Sequence, residues 1–355
     1  MKPFFSFTCI VVFLAAALIF ISEGCSEKKK TAAVRAEFQF KDKLSDYSFF
    51  KGSLKELNPS AGIFHYQLAT PLFTDFAVKD RFIVLPAGKS IIYKASGPLD
   101  FPDSTIIIKN FAYTNEAHQK IMIETRLLLK DPFDKKWKVM DYLWNDAQTD
   151  AVKHITGAKI PIRLLDDDGK AISTTYQVPT TNDCKRCHIN NNELMPIGPK
   201  ARNLNFVIDG ESGNQLNHWV HNGYLKELPS TVTAQLPNWK DNKHFTLDER
   251  ARAYLDVNCA HCHTKGGDAY NTGLFLEYEQ KDNSVIGILK SPVSAGGGAG
   301  GLNYDIVPGD AAHSVLAYRM NSTEPGTAMP ELARTLIHKE AVQLITDWIN
   351  KMPVK

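Results

Sequence analysis

Between residues 81 and 178, apolar and polar positions alternate in short runs rich in β-branched and aromatic residues, which predicts β-strands. The runs are Arg81 to Leu85, Ser90 to Lys94, Thr105 to Tyr113, Lys120 to Lys130, Trp137 to Trp144, Lys159 to Leu165 and Ile172 to Val178. Pro86-Ala87-Gly88, Asp131-Pro132 and Asp166-Asp167-Asp168-Gly169 mark reversals between them. Within Lys120 to Lys130, Ile121, Ile123, Thr125 and Leu127 are expected on one face, and Met122, Glu124, Arg126 and Leu128 on the other. Short strands at near-regular spacing predict an antiparallel sandwich or barrel.

Beyond residue 183 the period changes. Helices are expected over Asn214 to Asn222, stopped by Gly223; Leu247 to Asn258, capped by Thr246; Ala311 to Met320, capped by Asp310; and Lys339 to Lys351. The last places Ala341, Val342, Ile345, Trp348 and Ile349 on one face, with Trp348 directed at Ala251, Tyr254 or Leu255. The two patterns together predict an α+β multidomain chain, an amino-terminal antiparallel β sandwich or barrel followed by mainly α domains.

The first residues follow neither period. Lys2 precedes an apolar run from Phe4 to Ile21 that ends at Ser22-Glu23-Gly24-Cys25, which is an export-signal pattern. Cys25 follows a small residue and precedes a polar tether, so it resembles a lipidated cysteine and implies attachment to a membrane surface, with localisation in the periplasm or at the outer membrane. Ser22 and Glu23 depart from the usual lipobox. The expected divisions are 1–24, signal; 25–37, lipidated cysteine and linker; 38–183, β domain; 184–245 and 246–355, the segments that carry the chemistry. The hydrophobic share of 43% is ordinary for globular protein, and a net charge of +2 without a basic block excludes a nucleic-acid partner from the expectations.

That chemistry lies in a repeated spacing. Cys184-Lys185-Arg186-Cys187-His188 and Cys259-Ala260-His261-Cys262-His263 are both C-x-x-C-H, the attachment pattern of a c-type haem. The blander readings of C-x-x-C are a zinc half-site, a redox dithiol or a disulfide. With 11 His in 355 residues, a His following both pairs by chance is roughly a one-in-a-thousand event. Two covalently attached haem c groups are therefore expected, with His188 and His263 as iron ligands. Of the six cysteines, Cys9 leaves with the signal and Cys25 takes lipid, so no disulfide framework remains.

Met329, in the loop Gly326-Thr327-Ala328-Met329-Pro330, is expected opposite His263, because thioether ligation raises the potential as an electron carrier requires. No residue stands out opposite His188. Met195 follows it by only seven residues, His218 and His221 fall on the polar side of their helix, and His244 is in a polar loop. Pro196-Ile197-Gly198-Pro199 is expected to brace the His188 imidazole. The acids Asp146, Asp150 and Asp166 to Asp168 are expected to be solvated turns, and His65, His118 and His154 share no spacing.

The stretch from Arg250 through Cys259-Ala260-His261-Cys262-His263 to Met329-Pro330 and Trp348 resembles class I cytochrome c domains, so the mainly α domains are expected to be of cytochrome c type. Pro71-Leu72-Phe73-Thr74-Asp75, Glu124 to Leu128, Trp144-Asn145, Pro196 to Pro199 and Tyr254 to Cys259 make the whole chain similar to an exported dihaem c-type cytochrome family with an amino-terminal β domain. Phe101 to Thr105 and Trp137 also resemble sheet-rich c′-β type cytochromes, which would assign the first haem to the sheet. The resemblance implies electron transfer with transient redox partners. A dihaem enzyme or gas sensor acting on peroxide or a nitrogen oxide at an open first iron is the alternative, and a β domain serving as a binding module is a third.

Overall fold

Six strands, β1 (Ile63–Tyr66), β2 (Val78–Val84), β3 (Ile106–Thr114), β4 (Lys120–Lys130), β5 (Trp137–Trp144) and β6 (Ala151–His154), pair in that order into one antiparallel sheet. It is seen in the computed structural model of the chain, which describes residues 38–231 and 234–354. The signal, Cys25 and the tether expected before Phe38 lie outside the described residues. Strands β4 and β5 coincide with their expected runs, and Asp131 closes the turn between them by accepting from the Phe133 N–H at 2.8 Å and pairing with Lys138 at 2.6 Å. The sheet is open, with β1 and β6 as edges. Lys43 bridges Val152 and covers one of them.

Alternation along β4 is interrupted once. Phe111 of β3 faces Glu124 and Ala112 faces Met122, so Ile123 is the extra residue of a β-bulge. The bulge inverts the phase expected from strict alternation. Met122 joins Leu127 in the core on one face, while Glu124, Arg126 and Leu128 pass to the face that carries Ile121 and Ile123. Both faces are covered. Leu44, Phe49, Phe50, Leu54 and Leu57 pack on the face bearing Phe82, Ile108, Met122, Leu127 and Tyr142. The other face receives a hairpin, β7 (Ala158–Leu165) with β8 (Ala171–Val178), and the segment that follows.

That segment begins with α1 (Thr181–His188), followed by α2 (Ala201–Leu204) and α3 (Gln215–His221). Leu216 and Trp219 of α3 pack with Ile83, Ile107, Leu128 and Val139 of the sheet, leaving His218 and His221 exposed. The carboxy-terminal part holds α4 (Leu247–Asn258), α5 (Asn283–Ile286), α6 (Val315–Met320) and α7 (Lys339–Asn350). Thr246 and Glu249 form a capping box on α4. Its Ala251, Tyr254 and Leu255 meet Ile345, Trp348 and Ile349 of α7, and the Trp348 indole donates to Asp248 at 2.7 Å.

The expected fold class does not hold. The described chain is β-rich, with sheets of two to six strands, and the segments after residue 183 are not mainly α domains of cytochrome c type. Among the described residues only α4 and α7 reach 12 residues. The expected helix from Ala311 is a 3-10 turn, Ala311–His313, separated from α6 by an extended Ser314 whose hydroxyl accepts from the Val307 N–H at 2.8 Å. Between α4 and α6 the chain turns repeatedly through glycines and side-chain-to-backbone bonds, which compete with helix. Glu37–Lys355 cluster as one compact unit. Among the described residues no helix is long and apolar enough to cross a membrane.

Candidate cofactor site

The first motif is a helix. Thr180 caps α1 by accepting from the Asp183 N–H, and Asp183 returns a bond to the Thr180 N–H, so Cys184, Cys187 and His188 stand on a rigid turn. Cys184 enters the apolar cluster between α3 and the sheet, where burial pushes its thiol up to about 11. The His188 Nδ1–H donates to the Met195 carbonyl at 2.8 Å, and the Met195 N–H donates back to the His188 carbonyl at 2.8 Å. The brace expected from Pro196 to Pro199 is therefore made one residue earlier. It fixes the tautomer and leaves Nε2 as the nitrogen whose lone pair is free to accept or to ligate. It also commits the Met195 main chain to the imidazole side.

The second motif starts where α4 ends. The Cys259 N–H donates to the Leu255 carbonyl at 2.9 Å, and Cys262 and His263 turn back on the Cys259 carbonyl. The turn continues through Gly267, where a Cβ would collide with the Cys262 carbonyl. Thr272 Oγ1 lies 3.4 Å from His263 Nδ1. Burial lowers both His188 and His263 to about 4, so each is a neutral imidazole at physiological pH, the form that ligates metals. Burial raises the Cys259 thiol to about 12.

Tertiary packing brings the two motifs together. Asn190 Nδ2 donates to the Lys265 carbonyl at 3.0 Å, the Asn191 N–H to the Gly266 carbonyl at 2.9 Å, and Arg186 binds Asp268 and Glu331 at 3.1 Å each. The atoms that Cys187, His261 and Cys262 could offer to a metal all lie within 4.8 Å of one another. Cys187 accepts from the Cys262 thiol, and this shared proton lowers Cys187 and raises Cys262. His261 Nδ1 is buried without a partner among the described residues.

Of the cavities that adjoin the motifs, two reach their histidines, His263 and His188. One of about 300 Å³ is lined by Cys259, Cys262, His263 and Met329, with Cys187 and His261 on its wall, a size at the lower end of small-molecule sites, ~300–1,000 Å³. Met329 is held there through its main chain, which donates to the Arg319 carbonyl at 3.0 Å and accepts from Arg334 at 2.8 Å. Gly298 is buried against Arg319 within a stretch whose Gly296, Gly297, Gly300 and Gly301 are exposed, and Ala295 lines the same cavity. The second cavity, about 60 Å³, is lined by His188, Tyr66, Arg81, Lys109, Pro196 to Lys200 and Asp256.

The donor set at the larger cavity, two thiols, one neutral imidazole and one thioether around an apolar space, fits a covalently held tetrapyrrole iron. At His188 the donor set is different: the cavity is lined by the imidazole but by neither thiol of its motif nor any methionine, and the space admits only a few waters or a small anion. Met195, His218, His221 and His244 do not line that cavity. The cavity-lining Arg81 and Lys109, and His261 with its unpartnered Nδ1, were not singled out from sequence. Strand-borne Arg and Lys look like surface residues until register is known, and His261 stands at a variable position of its motif. The acidic turns take the bland reading. Asn145 and Asp166 bond within their own loops, and Asp150 accepts from Ser45. Comparison with protein-family models, with curated proteins and with solved structures finds no match to this chain.

Proposed function

We propose that the chain is an exported dihaem c-type cytochrome that transfers electrons between transient redox partners in the periplasm or at a bacterial membrane surface, where lipid at Cys25 would tether it. The observation that carries this reading is the convergence of Cys259, Cys262, His263 and Met329 on one cavity, with Cys187 of the first motif on its wall. Each thiol would add across a porphyrin vinyl group, its hydrogen passing to the neighbouring carbon, so attachment needs no external oxidant. His188 and His263 would present Nε2 to iron, and Met329 would offer its thioether opposite His263. The haem supplies reversible one-electron chemistry. The protein's part is to hold neutral imidazoles in one tautomer, to exclude water from the larger cavity with Leu274, Leu276, Ile306 and Met320, and to keep the two motifs in contact.

The test is an optical spectrum of the purified exported protein before and after carbon monoxide, with haem counted as its pyridine complex. Two haems per chain and no carbon monoxide shift are expected for a carrier closed at both irons. A shift at one of them would move the protein to the alternative class, an enzyme or gas sensor acting on peroxide or a nitrogen oxide. The cavity at His188 favours that alternative to the extent that neither a second histidine nor a methionine lines it. A separate reading, a thiolate metal centre at Cys187, His261 and Cys262, is favoured by their mutual distances. It requires stoichiometric metal and no haem in the same sample.

Met329→Ala should abolish the methionine-to-iron charge-transfer band at the red end of the ferric spectrum while both haems stay attached. An unchanged band would assign the position opposite His263 to another residue.

A further inference from the structure

Three cations stand side by side across the sheet. Register places Tyr66 against Arg81, Arg81 against Lys109, Lys109 against Arg126, and Arg126 against Asp141. Like charges directly opposite each other on neighbouring strands are destabilising, and burying them unpaired costs far more. Arg126 is neutralised by Glu124, which also accepts from the Tyr176 hydroxyl. Asp141 offers little charge, because burial and neighbouring Glu124 hold its carboxyl well above the ordinary range.

Arg81 and Lys109 have no such compensation. Arg81 is only 6% exposed, and its one hydrogen bond among the described residues runs from Nη1 to the Lys79 carbonyl at 3.3 Å, leaving the other guanidinium donors free. Lys109 makes no hydrogen bond or ion pair with a described residue, and its ammonium lies 4.8 Å from the Phe111 ring centroid. Lys79, on the same face, donates only to the Ala77 carbonyl at 3.2 Å. Burial, with Arg81 and Arg126 adding like charge, holds Lys79 and Lys109 well below the ordinary lysine range. Arg81 and Lys109 both line the cavity that contains His188. The carboxylate on that wall, Asp256, is already bound to Arg202 at 2.6 Å and to Lys200 at 3.4 Å.

We infer that Arg81 and Lys109 form a binding site for an oxyanion or carboxylate group beside His188. A guanidinium takes two oxygens of such a group in parallel and the ammonium takes one as a point charge. The small volume admits nitrite or formate, or the end of a carboxylate chain. Two sources share this chemistry: a free small anion that enters the cavity beside His188, and a carboxylate side group of the first haem itself. The inference deepens the reading above by naming what the first site takes, and depends on that reading only for the second source.

The test is calorimetric titration of the purified, haem-counted protein with nitrite and with formate, alongside redox titration of the same sample. Arg81→Gln and Lys109→Met are compared with Lys120→Met, which removes a surface cation paired with Asp80. For a free anion, wild type and Lys120→Met bind saturably, and each cavity variant binds at least about tenfold more weakly, as loss of a charge-assisted hydrogen bond predicts. For the haem's carboxylate, nitrite and formate do not bind, and Arg81→Gln lowers the midpoint of one of two haem transitions, because removing a cation favours ferric iron. Far-ultraviolet circular dichroism establishes that the variants fold, and Arg81→Lys keeps the charge if Arg81→Gln does not. Folded variants with neither anion binding nor a changed midpoint overturn the site. A sample without haem overturns the proposed function instead, and leaves the calorimetry alone to decide the anion site.

Discussion

With haem bound as proposed, replacing Cys259 and Cys262 together by alanine is expected to halve the covalently bound haem, leaving one group per chain at Cys184 and Cys187. Attachment at the second motif needs both thiols on one wall of the 300 Å³ cavity, and Cys259 stands there because α4 ends on it. Alanine keeps the backbone turn on the Cys259 carbonyl, and the Leu276 N–H still donates to the His263 carbonyl. The loss is therefore chemical and not a failure to fold. Haem staining after denaturing electrophoresis, with the pyridine complex quantified, reads the result. Unchanged haem content would remove the second motif from the proposal. Haem absent from both proteins, with a bound metal lost in the variant, would establish the thiolate centre of Cys187, His261 and Cys262.

Asp256→Ala is expected to destabilise the protein by about 3 kcal/mol, the lower end for breaking a buried ion pair. Asp256 is 1% exposed, and it accepts from Arg202 at 2.6 Å and from the Tyr278 N–H at 3.2 Å. Arg202, 4% exposed, would keep only Glu279 at the surface, so most of its charge would stay buried without compensation. The pair joins α2 to α4, and thus the region after His188 to the helix that ends at Cys259. Urea midpoints measure the loss, and a change within 0.5 kcal/mol, the ordinary range for a surface substitution, would mean that water reaches Arg202.

Acid should reproduce part of this effect. Burial raises the Asp256 carboxyl, but Lys200 and Arg202 outweigh it and hold the group below its ordinary value of 3.8. A carboxylate lowered in the folded state contributes stability above its unfolded value, and that contribution is lost as pH falls through the folded one. Wild type should therefore lose stability below about pH 4 more steeply than Asp256→Asn, which has no proton to gain. Parallel slopes in urea titrations over that range would show that Asp256 is not linked to acid unfolding.

Much of the local structure was legible because its causes are local. β4 and β5 follow from alternation with a turn at Asp131-Pro132, α4 from Thr246 and Glu249 before an apolar stripe, and each C-x-x-C-H from contiguous residues that need only one turn to converge. The expected mainly α architecture failed where periodicity was weakest. Residues 264–310 show no sustained apolar stripe, and glycines and side-chain-to-backbone bonds set the path there. In β4 a single extra residue, Ile123, inverted the inward set, which strict alternation does not anticipate.

What the sequence by itself determined is the set of donors: two thiol pairs, the two histidines adjoining them, and a methionine held in a loop beside proline. Only the tertiary structure decided that Cys187 meets Cys262, that Met195 rather than Pro196 to Pro199 braces His188, and that Arg81, Lys109 and Arg126 share one row. The physical reason is range. Caps, turns and alternation act over a few residues and leave a signature in the chain. Strand register and the docking of segments some 75 residues apart arise from packing across the core, where residue type alone does not say which neighbour it will meet.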